Sequence, residues 1–307
     1  MSLEELLESG TVPKKEDISE EELVKLFRKF RGLQKKQERD QAFWAATNEN
    51  LKIAYEKLDE QERELAKAYG IIQDDLSVAS KIQAALLPEL SKKMASELEL
   101  AVYHKQLAEV GGDYYDFFKT CSGSFAIGVF DISGHGVSAA LVMTYLKAQF
   151  MTILEALDSP KEIVEWVNNT SYDFLKTVKK YTTVNFVVMN TTALRYVSGG
   201  GFGLLLSGKG STVFEKRDAF LGLRRRPFHE YELPFRKGDL LAMYTDGIVE
   251  AQNSSGADYS VQRLNDLIIK NAKKPVQEIL DRCLEDYKEF RSKDSDDITL
   301  LIARKKV

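Results

Sequence analysis

The sequence predicts an α+β protein, in which two packed β-sheets have helices outside them and one long helix precedes this core. From 19 to 87 the chain has no proline and is dominated by Glu, Lys, Leu, Ala, Gln and Arg, which are strong helix formers. After Pro88, short segments rich in β-forming residues follow one another in runs, and helical segments occur in pairs. This order favours packed sheets with outer helices over alternating βαβ units.

The composition argues against several classes of function. The 307 residues have a net charge of −4, which gives no electrostatic reason to expect a nucleic-acid partner. No stretch approaches the roughly 18 continuous apolar residues that a membrane span needs. The acidic N-terminus also has no apolar run of the secretory type. The sequence therefore predicts a cytoplasmic protein with neither a nucleic-acid nor a membrane partner.

Composition also divides the chain into segments. We predict a flexible leader (1–18), a helical regulatory and dimerisation segment (19–87) and a globular domain (88–307). The leader contains Gly10, Pro13 and a mixed run of charges. Ser19 followed by Glu22 forms a capping-box signature, so the helix is expected to begin there.

An apolar seven-residue repeat runs along the second half of the helical segment. Its members are Leu51, Leu58, Leu65, Ile72, Ala79 and Leu86, and Tyr55, Tyr69 and Leu76 follow members of the series by four residues. This spacing is typical of a coiled-coil seam, so we expect a homodimer. Glu62 and Gln83 fall in the seam, where polar residues lower stability but fix register. The alternative is an intramolecular helical hairpin with a break at 31–41, where the apolar pattern lapses.

The elements after Pro88 follow from local composition. Predicted strands span 98–104, 124–131, 182–190, 194–198, 204–207, 212–216, 239–244 and 298–303. Predicted helices span 136–157, 161–178, 261–271 and 276–290. Glycine-rich turns separate some of the strands.

Aspartates recur where these strands begin or end. They are Asp113 and Asp116 in GGDYYDFF, Asp131 opening DISGHG, Asp246 in YTDGI, and Asp296 and Asp297 in SDDIT. Carboxylates at the ends of several buried strands can converge at one edge of the core. Such concentrated negative charge is costly unless divalent cations occupy it. Oxygen ligands favour Mg²⁺ or Mn²⁺ over Zn²⁺.

A pair of such ions suits hydrolysis at phosphorus. Two ions about 3.5–4 Å apart can hold a bridging water, lower its pKa and stabilise an in-line displacement. This chemistry needs no nucleophilic side chain, and the sequence offers no convincing one: it has three histidines, no G-x-S-x-G elbow and no cysteine in a phosphate loop. Each motif alone also fits an ordinary turn or a solvated acidic loop. Their order and their placement at strand ends are more specific.

Several motifs in order resemble one family. DISGHGVSAAL, preceded by VGGDYYDFF and followed by YTDGIVEAQN and DDITLLIAR, resembles the SpoIIE/RsbU branch of the PPM family, the protein phosphatase 2C-like enzymes. KIQAALLPEL resembles the junction that joins sensor helices to such domains. The resemblance covers about residues 80–305. It implies an α-β-β-α sandwich over 88–307 and a Mn²⁺- or Mg²⁺-dependent phosphoserine/phosphothreonine phosphatase.

The resemblance also implies a set of metal ligands. Asp131 would bridge the two ions, and the carbonyl of Ile132 would help to hold one of them. Asp113 would complete the first metal site. Asp246 and Asp296 would complete the second.

Neighbouring residues receive supporting roles by the same resemblance. Gly112 and Gly134 would permit a tight approach of the backbone. Asp116 could support a ligand from behind, and Asp297 could either bind or satisfy loop backbone amides. His135 could donate a proton to the leaving serine oxygen, but a structural or electrostatic role is preferred because related motifs accept lysine there.

The sequence departs from the family pattern at SGGGFGLLL. The family usually shows an AGH-type turn there, and Gly201 replaces the histidine. This affects the expected substrate contacts and not the metal site. The arginine that captures phosphate in the eukaryotic relatives has no clear counterpart. The basic cluster 224–226 could contact an acidic partner or could be a solvated loop.

The resemblance implies a pathway and a form of regulation. Members of this branch dephosphorylate a phosphoserine on a STAS-type antagonist of an anti-sigma factor, in bacterial partner-switching pathways. Their N-terminal helices reposition the metal-binding elements, so an upstream activator protein is expected. Two rival interpretations are a GGDEF-type nucleotide cyclase, suggested by GGDYYDFF, and a non-enzymatic phosphatase-like scaffold that binds a partner protein.

Overall fold

The computed structural model describes residues 19–208, 210–214 and 218–307. The predicted leader, 1–18, lies outside the described residues. The chain divides into two compact units between Ile72 and Gln73. This point lies upstream of the boundary predicted at 87, because the last turns of the first helix belong to the second unit.

The first helix, α1 (Glu20–Leu86), is one continuous helix. The predicted capping box is confirmed: the backbone N–H of Ser19 donates to Glu22 Oε2 at 3.1 Å, and the N–H of Glu22 donates to Ser19 Oγ at 3.3 Å. No break occurs at 31–41, so the hairpin alternative with a break there is wrong. Among the described residues, no helix is long and apolar enough to cross a membrane.

The second unit contains the remaining elements. Its further helices are α2 (Lys92–Glu97), α3 (Val137–Ile153), α4 (Pro160–Thr177), α5 (Asp246–Val249), α6 (Val261–Asn271) and α7 (Val276–Phe290). Its strands are β1 (Leu98–Lys105), β2 (Tyr114–Lys119), β3 (Phe125–Ile132), β4 (Thr182–Met189), β5 (Ala193–Gly199), β6 (Phe202–Ser207), β7 (Gly210–Val213), β8 (Tyr231–Pro234), β9 (Leu240–Tyr244) and β10 (Ile298–Lys305).

The described strands form two five-stranded antiparallel sheets. Their orders are β1-β10-β9-β6-β7 and β2-β3-β4-β5-β8. Apolar side chains fill three layers: one between the two sheets, one between the second sheet and α3–α4, and one between the first sheet and α6–α7. Each sheet is therefore buried on both faces. The predicted α-β-β-α sandwich is confirmed.

All the predicted strands and helices of this unit are present, with ends shifted by a few residues. The strand predicted at 212–216 ends earlier, as β7, and 215–217 lie outside the described residues. Four elements were missed: β2, β8, α2 and α5. β2 follows directly on a Gly-Gly-Asp segment, β8 is a four-residue edge strand that ends at Pro234, and α5 is a single turn beginning at an Asp-Gly pair.

The topology brings several predicted site segments together. β10 lies between β1 and β9, and Leu300 of β10 pairs with Tyr244 of β9. Because the strands are antiparallel, the residues that precede β10 lie beside those that follow β9. The end of β3, from the other sheet, reaches the same edge of the sandwich.

Candidate metal centre

Aspartates from three strand ends are close enough to perturb one another. Burial, followed by the charges of Asp246 and Asp296, raises the pKa of Asp131 to about 7. Burial, followed by Glu250 and Asp296, raises the pKa of Asp246 to about 6. Asp297 also acts on Asp131. These shifts mean that the carboxylates share one electrostatic environment, in which each disfavours the ionisation of the others.

Two of these aspartates line a cavity of about 350 Å³. Asp246 and Asp296 lie on its wall together with Glu250, Gln252, Asn253, Ser292, Lys293 and Ser295. Oxygen atoms dominate these side chains, and Lys293 supplies one positive charge. The cavity gives the carboxylate cluster access to solvent and to a ligand.

Asp113 is the most buried of the proposed aspartate ligands, with 2% of its surface exposed. Its Oδ2 accepts hydrogen bonds from Thr245 Oγ1 and Thr299 Oγ1, both at 2.7 Å. Thr299 Oγ1 lies 3.0 Å from Nδ1 of His104. Since the Thr299 hydroxyl donates to Asp113, the imidazole Nδ1–H donates to Thr299. Burial and the charge of Asp131 hold the pKa of Asp113 well above its usual range.

Asp297 points toward the loop that carries Asp113. Its Oδ1 accepts from the N–H of Leu107 at 2.7 Å, and its Oδ2 accepts from the N–H groups of Gly112 at 2.6 Å and Asp113 at 3.3 Å. Of the two roles considered from the sequence, this geometry matches the satisfaction of loop amides. The carboxylate thereby fixes the position of Asp113.

The GGD loop and the DISGHG turn meet at Gly112. A Cβ on Gly112 would lie 2.6 Å from the carbonyl oxygen of Ile132 and 3.0 Å from that of Gly134, so only glycine permits this approach. Gly134 itself has a positive φ of 79°. His135 is exposed and lies close enough to Asp296 to oppose, in part, the rise in pKa that burial causes there.

The structure does not bring Asp116 to the other aspartates. Alternation along β2 directs Tyr114 and Asp116 toward the helix layer, where Lys147 Nζ lies 2.5 Å from Asp116 Oδ2 and 2.8 Å from the Tyr114 hydroxyl. Burial raises the pKa of Asp116 to about 6 although Lys147 opposes the shift. Asp116 was expected to support a metal ligand, but the charged side chain that it contacts is Lys147 and not one of the other aspartates.

Gly201, which stands where the family pattern has histidine, lies against a buried amide. A Cβ at this position would lie 2.7 Å from Cγ of Asn185. The amide of Asn185 is itself held, since its Nδ2 donates to the carbonyl of Phe202 at 2.6 Å. A histidine at position 201 would require Asn185 to move.

The donor set fits a hard divalent cation. The gathered side chains offer carboxylate oxygens, and a cation would offset the repulsion that raises their pKa values. Within 19–208, 210–214 and 218–307, no three His, Cys, Asp or Glu side chains form a ready-made coordination group. The carboxylates thus share one edge of the sandwich without converging on a single point.

Several residues at this edge were not predicted. Thr245 and Thr299 belong to the motifs YTDG and DDIT, and Glu250 follows Asp246 by one helical turn. Their proximity in sequence to the motif aspartates was a usable signal, but only aspartates were predicted as ligands through their side chains. No spacing pattern connects His104 to Thr299, because the contact depends on the pairing of β1 with β10.

Comparison with known protein families gives a match. Residues 122–306 match the family model described as stage II sporulation protein E (SpoIIE). The matched range includes Asp131, Asp246 and Asp296 and begins after Asp113. The phosphoserine phosphatase RsbU of Bacillus subtilis (strain 168) is 26% identical over 250 residues, which cover 77% of this chain and 71% of RsbU.

Solved structures show the same fold. The SiaA-PP2C domain of Pseudomonas aeruginosa superposes with a TM-score of 0.69 at 23% identity, covering 77% of this chain and 98% of that domain. The catalytic domain of the serine/threonine phosphatase PstP, solved in complex with two manganese ions, gives a TM-score of 0.51 at 15% identity. That alignment covers 69% of this chain and 99% of the PstP domain.

Proposed function

Because the chain belongs to the SpoIIE family, within the RsbU branch of the PPM phosphatases, we propose that it is a metal-dependent serine/threonine protein phosphatase. The observation that supports this most strongly is the meeting of Asp131, Asp246 and Asp296 at one edge of the sandwich. A cavity lies directly against two of these carboxylates. We propose Mn²⁺ or Mg²⁺ as the cofactor, with two ions in the centre.

Each aspartate has a separate task in this proposal. Asp131, whose charge acts on Asp113 and which is itself affected by Asp246 and Asp296, would contact both ions, with the Ile132 carbonyl beside it. Asp113 would bind from the buried side, and Asp246 and Asp296 from the cavity side. When bound, such ions activate water and stabilise negative charge on a phosphoryl group. The protein's own contribution is to hold these oxygens in place and to admit a phosphorylated side chain through the cavity.

The proposal is tested by hydrolysis of p-nitrophenyl phosphate in the presence of Mn²⁺. We expect Asp131→Asn to lower kcat about a thousandfold, because the loss of a bridging ligand removes several kcal/mol of transition-state stabilisation. Asp266→Asn, at an exposed position on α6, is the matched control and should leave kcat unchanged. Hydrolysis that survives EDTA, or full activity in Asp131→Asn, would reject the metal mechanism. Mn²⁺ binding by a wild-type protein that hydrolyses nothing would favour the scaffold alternative.

The proposed substrate is a phosphoserine on a STAS-type antagonist in a partner-switching pathway. The support is the relationship to RsbU, which is named a phosphoserine phosphatase. Asp131→Asn protein should retain the substrate without turning it over. Phosphopeptide mapping of what it captures from bacterial lysate should give a serine in a STAS domain, and capture of phosphoproteins of other types alone would contradict the assignment.

We also propose that α1 regulates the enzyme through Gln83. Within the second unit, Gln83 is 4% exposed, and its side-chain amide brackets Gly111. Its Nε2 donates to the Gly111 carbonyl at 2.8 Å, and its Oε1 accepts from the Gly111 N–H at 3.2 Å. Gly111 lies two residues before Asp113. Any displacement of the end of α1 would thus act on the loop that presents a proposed metal ligand.

This coupling is tested in the full-length chain. Gln83→Ala should change the Mn²⁺ concentration that gives half-maximal hydrolysis of p-nitrophenyl phosphate by several-fold, since outer contacts of this kind tune metal affinity. Gln61→Ala, at an exposed position of the same helix, is the control. An identical Mn²⁺ titration for both variants would argue against coupling through this contact.

The remaining regulatory proposal is dimerisation through α1, with an upstream activator protein acting on the dimer. Leu51, Leu58 and Leu65 follow the heptad spacing and are 52%, 51% and 70% exposed in the single chain. A helix cannot bury such a stripe by itself. Sedimentation should show a dimer that Leu58→Asp converts to a monomer, whereas a monomeric wild-type protein would contradict the proposal.

A further inference from the structure

An exposed apolar surface lies on the outer helix layer. Leu141 is 66% exposed and follows Val137 by one turn of α3, while Phe174 and Val178 are spaced by one turn at the end of α4. The rings of Tyr145 and Phe174 lie 4.4 Å apart and join the two helices. We define the docking face by six exposed apolar residues: Val137, Leu141, Phe174, Val178, Tyr181 and Leu223.

Two segments that contribute residues to the docking face are rich in positive charge. The segment 172–181 contains three lysines and one aspartate, and 223–227 contains three arginines and no acidic residue. The one aspartate, Asp173, is already paired with Arg225 at 2.6 Å, and the guanidinium of Arg225 lies 4.8 Å from the ring of Tyr172. The chain as a whole has a net charge of −4, so these two segments carry the opposite sign.

The docking face borders the carboxylate cluster. The N–H of Ser133 donates to the carbonyl of Tyr181 at 2.8 Å, and Lys180 Nζ donates to the carbonyl of Ser133 at 2.7 Å. The hydroxyl of Thr182 donates to the backbone carbonyl of Asp131 at 2.7 Å. The face therefore begins within two residues of the proposed bridging aspartate. A protein bound there would have its surface next to the metal centre.

We propose that the docking face binds the phosphoserine protein itself, through an apolar contact ringed by acidic groups of that protein. This inference rests on the proposed phosphatase activity and names the surface that selects the substrate. Charge complementarity supports an acidic partner. A second copy of this chain fits poorly, because a two-fold contact would place the same arginines and lysines against themselves. Continuity with the catalytic edge favours a protein substrate over a lipid surface.

The test compares a large and a small substrate in the full-length chain. Phosphorylated casein, an acidic phosphoserine protein, is large enough to reach the face, whereas p-nitrophenyl phosphate is not. We expect Leu141→Ser and Arg226→Glu each to lower kcat/KM for phosphorylated casein about tenfold, mainly through KM. The first removes an apolar contact, and the second replaces an attractive charge with a repulsive one. Hydrolysis of p-nitrophenyl phosphate should stay within about twofold of wild type, since the small substrate makes no such contact.

Matched controls lie outside the docking face. Met151→Ser is at an exposed apolar position of the same helix, and Lys270→Glu reverses an exposed charge on α6. Both controls should leave both substrates unaffected. Equal kinetics of Leu141→Ser and wild type on phosphorylated casein would overturn the proposal. So would a wild-type protein that hydrolyses p-nitrophenyl phosphate but not phosphorylated casein.

Other occupants give distinct results. A change of oligomeric state in Leu141→Ser, measured by sedimentation, would assign the face to a second copy and overturn the proposal. Co-sedimentation of the wild type with phosphatidylserine vesicles, lost in Arg226→Glu, would assign it to a membrane surface and do the same. Failure of the phosphatase proposal looks different again, because the wild type would then show no Mn²⁺-dependent hydrolysis of p-nitrophenyl phosphate.

Discussion

Asp116 and Asp131 lie on neighbouring strands of one hairpin, yet the charges next to their carboxylates have opposite signs. Asp116 is buried under the helix layer, where Lys147 provides a cation at 2.5 Å. Asp131 lies at the end of β3, and the charges that act on it come from other carboxylates. Burial raises the pKa of both groups. Lys147 then opposes the shift at Asp116, whereas Asp246 and Asp296 add to it at Asp131.

This difference distinguishes a carboxylate with a structural role from one that is available to bind a cation. A buried charge needs a partner, because desolvation otherwise disfavours the ionised form. At Asp116 the fold supplies that partner itself. At Asp131 the hydrogen bonds from Thr182 and to Thr183 involve only its backbone carbonyl and N–H, and the charges that act on its carboxylate are negative. This supports the proposal that a cation binds there. Burial and residue type therefore give no information about function until the counter-charge is identified.

Removal of the internal cation should have the largest effect. Lys147→Met keeps the length of the side chain but leaves the Asp116 carboxylate buried without its counter-charge. We expect the free energy of unfolding at pH 7.5 to fall by about 3–5 kcal/mol. Urea denaturation of the full-length chain, followed by tryptophan fluorescence, measures this loss.

Two further variants decide whether charge is the cause. The double variant Asp116→Asn with Lys147→Met should recover most of the lost stability, because no uncompensated charge remains. Lys161→Met removes a partly exposed cation 4.0 Å from Glu165 and should cost less than about 1 kcal/mol. A double variant as unstable as Lys147→Met would indicate lost packing in place of lost charge.

A smaller effect, on Mn²⁺ affinity, is expected from loss of a hydrogen bond that positions Asp113. Thr299→Val deletes the hydroxyl that links His104 to Asp113 while keeping the side-chain volume. Residues that orient a metal ligand typically contribute 10–100-fold to affinity, so Mn²⁺ should bind about 10–100-fold more weakly. Isothermal titration of the full-length chain with Mn²⁺ measures this directly.

The control for this variant is another buried threonine with a hydrogen-bonded hydroxyl. Thr120→Val lies at the turn between β2 and β3, where the hydroxyl contacts Ser122. It should alter stability slightly and Mn²⁺ affinity not at all. Unchanged Mn²⁺ affinity in Thr299→Val would show that the hydrogen bonds to Asp113 serve folding alone.

The contrast between the two aspartates also shows what the sequence could predict. The positions of Asp131, Asp246 and Asp296 at strand ends predicted that they would lie at one edge of the core. An apolar strand that adjoins an aspartate can be recognised from the sequence. Asp116 was grouped with them since it stands in the same motif as Asp113. Its separation depends on which face of β2 it occupies, and β2 was not predicted as a strand.

Contacts between segments that are distant along the chain could not be predicted from the sequence, for a related reason. Gln83 was predicted to lie in the coiled-coil seam by its heptad position, but the structure places its amide on Gly111. Nothing in a heptad distinguishes a polar seam residue from one that reaches a neighbouring loop. The fold class was predictable because hydrophobic periodicity determines it, whereas hydrogen bonds across the sandwich depend on tertiary packing.

The last expected effect is a dependence of metal-free stability on pH. The pKa of Asp131 is about 7 in the folded chain and near the ordinary aspartate value of about 4 when unfolded. Between these values the folded state binds the extra proton. Its contribution to stability is therefore complete below about pH 4 and is lost as the pH rises through about 7.

With EDTA present, the melting temperature should thus fall by a few degrees between pH 5 and pH 7.5, and Asp131→Asn should reduce this fall because it removes one titrating group. Saturating Mn²⁺ should raise the melting temperature of the wild type most at the higher pH, where the carboxylates are ionised and able to bind. Asp116→Asn, whose carboxylate has its own cation, should leave the Mn²⁺-induced increase intact. Equal Mn²⁺ stabilisation of wild type and Asp131→Asn would mean that the ion binds elsewhere and that the contrast between the two aspartates has no functional meaning.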